Sequence, residues 1–110
     1  MIYMKLLRVV KSSKAGKKWT AIFGDGDKEK SVHFGSAGMR DYTLISDKAS
    51  KFYLPKMVDR NVVRDSYKRR HKKDLETKNP MRAGYLSYYL LWNKKTLASS
   101  IKDYKKRFKL

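Results

Sequence analysis

The side chains of this sequence with the greatest capacity for chemistry are cations. Tyr67-Lys68-Arg69-Arg70-His71-Lys72-Lys73 places five Lys or Arg in seven positions. Lys102, Lys105, Lys106, Arg107 and Lys109 form a second cluster. Such runs can set several charges along a phosphate backbone and release its counterions, with Arg able to bind bidentately. Contacts of this kind give affinity but carry no base code. The blander reading of a lone basic run is a solvated helix face. The overall balance favours an anionic partner: 28 Lys+Arg stand against 10 Asp+Glu, a formal charge of +18 in 110 residues. A chain so small and so charged repels itself unless an anion is near. The excess is also uneven. Residues 1–55 carry 11 basic and 5 acidic side chains, and residues 56–110 carry 17 and 5. The partner is therefore expected at the second half.

Other residue types offer less. Asp25, Asp27 and Glu29 alternate as in a calcium loop, but Lys30 stands where that loop needs Gly and Ser36 where it needs a bidentate acid. A hairpin turn is the better reading, and no metal is expected. His33 and His71 are the only histidines and are not expected to make a metal or hydrolase site. Gly24-x-Gly26 lacks the third glycine of a dinucleotide fingerprint, and no Ser lies in a G-x-S-x-G context. With no Cys, thiol catalysis, disulfides and Cys-bound zinc are excluded. The expectation is a non-enzymatic protein without a cofactor.

These side chains need a scaffold. The length suits one domain over residues 1–110, and 41% hydrophobic with 13% aromatic residues permit a modest core. Met1–Val10, Trp19–Phe23 and Val32–Phe34 read as strands. Trp19, Ala21 and Phe23 alternate to one side, and Gly24-Asp25-Gly26-Asp27 supplies a turn. The expected fold is α+β: a three-stranded antiparallel meander (residues 1–35), a loop-rich connection (36–61) and a helical half (62–110). Within the last, Val62–Lys73 favours helix, with Val63, Tyr67 and His71 on one side and Arg64, Lys68, Arg69, Lys72 and Lys73 opposite. Asn79-Pro80 reads as an N-cap and first helical position for a helix running to Trp92. Its residues Tyr85, Tyr88, Tyr89 and Trp92 are expected to be core more than a base-stacking platform. Thr96 should cap a last helix with an inward stripe of Leu97, Ile101, Tyr104 and Phe108. No apolar run is long enough to span a bilayer. The N-terminus lacks a basic region before its apolar patch, so no signal peptide is expected.

Several segments, in order and spacing, resemble a small family of functionally uncharacterised basic proteins encoded by large double-stranded DNA viruses. They are Lys17–Gly24, Val32–Met39, Asp41-Tyr42-Thr43, Tyr67 to Lys73, Asn79–Gly84, Leu90–Lys94 and Ser100–Phe108. The stretch Lys48–Asn61 is longer than the family pattern and reads as an insertion. The resemblance implies a viral origin and carries over no catalytic residue. It makes two roles plausible for so basic a chain: packing DNA, or building a capsid over an inner membrane. The leading expectation is a virion protein that binds double-stranded DNA non-specifically through Lys68, Arg69, Arg70, Lys72, Lys73, Lys102, Lys105, Lys106, Arg107 and Lys109. The alternative is a minor capsid protein whose basic face meets acidic capsid proteins or an anionic membrane surface. Its setting would be intravirion or intracellular.

Overall fold

The computed structural model describes residues 4–110. Strands β1 (Lys5–Lys11), β2 (Lys17–Asp25) and β3 (Lys28–Ser36) precede helices α1 (Tyr42–Ile45), α2 (Met57–His71), α3 (Ala83–Leu86) and α4 (Leu97–Phe108). The strands form one antiparallel sheet in the order β1-β2-β3, and the helical half follows. The α+β architecture expected from the sequence is present. Residues 1–3 of the expected first strand lie outside the described residues.

Alternation along β2 decides which sheet face is covered. Trp19, Ala21 and Phe23 lie opposite Phe34, Val32 and Lys30 on β3, while Val9 and Leu6 of β1 lie opposite Ala21 and Phe23. Residues directly opposite share a face, so one apolar face forms. Leu6, Ala21, Phe23 and Phe34 are buried there in one core with Leu86, Leu90, Leu91, Trp92, Tyr104 and Leu110. Each large side chain so buried contributes about 1.5–3 kcal/mol. The turn between β2 and β3 is Gly26-Asp27, flanked by the Asp25↔Lys28 pair, with Gly26 at φ +61. Glu29 reaches across the sheet to Arg8 at 3.6 Å. His33, on the same face as Glu29 and away from the core, has its Nδ1 within 2.8 Å of the Ser12 hydroxyl and 2.7 Å of the Thr20 hydroxyl.

The sheet is joined to the helical half by a buried ion pair. Asp41 caps α1 by accepting from the Leu44 amide, and its second oxygen accepts from Lys18 Nζ at 2.6 Å. Removing either partner would leave the other charge buried and unpaired. A second junction lies at the end of α4. Leu6 N donates to Leu110 O at 3.2 Å, and the Leu110 side chain is buried.

Three element boundaries differ from the sequence-based expectation. α2 begins at Met57, not Val62, so the end of the Lys48–Asn61 stretch, whose sequence fits either a loop or a short helix, supplies its first turns. Periodicity hides this start because Met57, Val58 and Val62 point outward, away from the core. The turn closes instead through Arg60, whose side chain donates to the carbonyls of Leu54 at 2.6 Å and Pro55 at 3.0 Å. At its far end α2 stops at His71, and Lys72–Thr77 tightens into a 3-10 helix.

Nor is Asn79 the cap of a helix starting at Pro80. Its side chain accepts from the Met81 amide within a separate turn, Arg82 is extended, and α3 starts at Ala83. The Pro80 carbonyl takes the Tyr104 hydroxyl at 2.6 Å, a tertiary bond that local pattern cannot reveal. α3 then widens into a π-helical turn over Ser87–Leu91. Consecutive Leu90 and Leu91 of this turn are both buried in the core.

Gly35 marks a close approach of sheet and helical half. Its φ is +80, and a Cβ there would lie 2.8 Å from Leu91 Cδ1. Gly35→Ala combines left-handed backbone strain with a core clash. It should destabilise the fold by about 1–3 kcal/mol and lower the melting temperature measured by circular dichroism.

Candidate anion-binding surface

Both basic clusters fall at the C-terminal ends of the two longest helices. Lys68, Arg69, Arg70 and His71 occupy the last turn of α2, and Lys105, Lys106 and Arg107 that of α4. Cations there meet the negative end of the helix dipole, which partly offsets their crowding. Lys72 and Lys73 belong to the 3-10 segment, and Lys109 is the left-handed residue closing α4, at φ +57.

α4 carries its charge in order. Thr96 caps it by accepting from the Ser99 amide at 3.1 Å. Leu97, Ile101, Tyr104 and Phe108 pack against the core, as their spacing requires. That orientation turns Lys102, Lys105 and Lys106 outward at i, i+3 and i+4, one helical face, and Lys109 follows on the left-handed residue that closes α4. All four are exposed. Among the described residues none of them has a carboxylate partner. Arg107, one step round the helix, is held by Asp103 at 3.3 Å.

The two clusters meet across a pair of tyrosines. Lys68 Nζ lies 5.3 Å from the centre of the Tyr88 ring, and the Arg107 guanidinium 5.1 Å from that of Tyr89. The two rings are 5.0 Å apart. Each cation therefore faces an aromatic π-cloud, and two positive helices approach without direct ammonium–guanidinium contact. The half-buried Lys68 feels both effects. Partial burial lowers its pKa below the ordinary 10.5, and the positive charges of Arg64, Arg107 and Lys94 lower it further against the opposing pull of Asp65. An anion placed near Lys68 would relieve that repulsion. Burial and the neighbouring Tyr89 raise the Tyr88 pKa, so its ring stays neutral.

Asn93 braces this arrangement. Its carbonyl accepts from Arg64 of α2 at 3.3 Å, and its side-chain amide donates to Asp103 of α4 at 2.7 Å. The Arg64 guanidinium also lies 4.7 Å over the Tyr42 ring.

Of the ten cations singled out from sequence, Lys68 and Arg107 are thus brought together, and four lysines form the α4 face. Arg70 turns elsewhere, into a cleft between the sheet and α2. Arg69, Lys72 and Lys73 are exposed and make no ion pair among the described residues. Lys68 is not the freely solvated cation that the helical pattern implied, because the opposite face of α2 rests on Tyr88. Arg64, Lys94, Asn93 and the half-buried Tyr88 and Tyr89 were not assigned to the interface by sequence reasoning. The adjacent Leu90-Leu91-Trp92-Asn93-Lys94 was visible as a motif, but its role in joining two helices was not. No helix among the described residues is long and apolar enough to cross a membrane.

Residues 7–53 match the model of a family of unknown function, DUF5754. That segment holds the sheet from Leu7 onward and α1, and it ends before α2. No curated protein and no solved structure matches the chain.

The bracing has a measurable pH signature. The Asn93 amide holds the Asp103 carboxyl below its ordinary 3.8; burial opposes this, and the charge and hydrogen bond of Arg107 add to the lowering. A carboxyl with a depressed folded-state pKa adds stability above 3.8, and loses it as pH falls through the folded value. Asp103→Asn should therefore lower the melting temperature at neutral pH. Its deficit relative to the native chain should shrink as pH falls below the ordinary 3.8 and close once pH passes below the folded-state value.

Proposed function

We propose that this chain is a small, non-enzymatic virion protein that binds double-stranded DNA through its phosphates, without base readout. The observation that carries the reading is the exposed, unpaired lysine face of α4, continuous in sequence with Arg107, which meets Lys68 across Tyr88–Tyr89. Phosphates spaced along a duplex suit a row of flexible ammonium groups, and each neutralised phosphate releases counterions. The resemblance of the sequence segments to proteins of large DNA viruses supports placing the chain in a virion.

Affinity for a duplex should then fall steeply with salt and vary little with sequence. Replacing Lys102, Lys105, Lys106 and Lys109 together by Gln should weaken binding equally for unrelated duplexes. The slope of log affinity against log salt should drop by about 3–4. Fluorescence anisotropy over a salt series measures both, and an unchanged slope would refute the reading.

A second reading, a minor capsid protein, rests on a separate observation. Val58 and Val62 are 64% and 63% exposed, one turn apart on α2, with Met57 beside them. Exposed apolar residues of this kind mark protein contacts more often than DNA contacts. Under this reading Val58→Asp would release the chain from isolated capsid shells while leaving its duplex affinity within about twofold. Protein mass measurements on separated shells and nucleoid cores would read the shift.

A further inference from the structure

The described residues contain a cleft of about 550 Å³ that the α4 lysine face does not touch. One wall is built by the start of β2 and the segment after β3, and the other by α2 and the turn into α3. Its volume falls in the range of small-molecule sites. Its charge is unbalanced. The two carboxylates in its walls are already engaged, Asp41 by Lys18 at 2.6 Å and Asp74 by His71 Nδ1 at 3.1 Å. Lys17, Arg40 and Arg70 line the same cleft, and none of them has a carboxylate partner among the described residues.

A flat aromatic stack forms part of the same lining. Trp92, Tyr67 and His71 lie in series, with ring centres 4.3 Å and 4.2 Å apart and planes within 9° and 22° of parallel. Tyr67 is covered on both sides and Trp92 is buried, so the His71 ring is the open end, with 41% of its side chain exposed. Burial first, and Asp74 next, push the Tyr67 hydroxyl up to about 12, so it contributes no negative charge at neutral pH. Three cations without a carboxylate partner, in a lining where Lys and Arg outnumber Asp four to two, stand beside the exposed end of a ring stack and match a ligand with several negative charges and one planar ring.

We infer that this cleft binds a nucleoside polyphosphate, its phosphates on Lys17, Arg40 and Arg70 and its base stacked on His71. The site stands apart from the proposed duplex-binding face and does not depend on it. The same chemistry is presented by a free nucleotide and by the triphosphorylated 5′ end of a strand.

Titration of the full chain with a fluorescent ATP analogue tests the inference, with unlabelled ATP, tripolyphosphate, adenosine and a 5′-triphosphorylated single strand as competitors. ATP should compete at least about tenfold better than tripolyphosphate or adenosine, because each lacks one half of the recognition. Arg40→Gln and Arg70→Gln should each weaken binding by about tenfold. Both side chains are exposed, so the folded state should persist, and melting curves check this. Lys105→Gln with Lys106→Gln should leave nucleotide binding within about twofold while weakening duplex binding. The rank of ATP against the triphosphorylated strand distinguishes the two sources, and either order supports the site. Tripolyphosphate equal to ATP, or unchanged affinity in both arginine variants, would overturn the inference.

Discussion

Two cationic helix ends lie close together here because tyrosine rings stand between them. Lys68 rests on Tyr88 and Arg107 on Tyr89, and the two rings touch. Without that aromatic layer, α2 and α4 would bring their charges together in a partly dry environment, where repulsion is stronger than in water. With it, the repulsion becomes a concentrated positive field held by a stable fold. The pKa of Lys68 is lowered first by its partial burial and then by the neighbouring positive charges, Arg64 ahead of Arg107. Asn93 fixes the spacing by bonding to both helices, and the π-helical turn over Ser87–Leu91 buries Leu90 and Leu91 and carries the half-buried Tyr88 and Tyr89 at its rim.

The rest of the molecule orients this layer. The sheet offers one apolar face, and the helical half covers it. Lys18–Asp41 pins the cover at one end, and the Leu6–Leu110 hydrogen bond pins α4 at the other. Because the inward stripe of α4 is fixed on the core, its lysines have only the solvent side to occupy. The charge is thus ordered by hydrophobic packing, not by partners of opposite sign. Of the ten cations named from sequence, only Arg107 forms an ion pair among the described residues.

Much of the scaffold was legible in the sequence. The strands announced themselves by period-two alternation and by the Gly26-Asp27 turn, and α4 by Thr96 and its four-residue stripe. The errors share a cause. Met57, Val58 and Val62 are apolar residues facing water, so they mask the start of α2. Asn79-Pro80 has the composition of a helix start, yet Pro80 gives its carbonyl to Tyr104, twenty-four residues away. Local rules weigh local bonds, and here distant ones prevail.

The sequence alone determined that this protein is a small, strongly basic α+β chain whose positive charge is concentrated in its second half. Charge and alternation are additive properties, and counting recovers them. Tertiary structure decided which cations act together. Lys68 and Arg107 are far apart in the chain and adjacent on a tyrosine pair, whereas Arg70, two residues from Lys68, faces a different cleft. A helix turns each successive residue by about 100°. Neighbours in sequence therefore diverge, and only the packing of one helix on another determines which distant side chains meet.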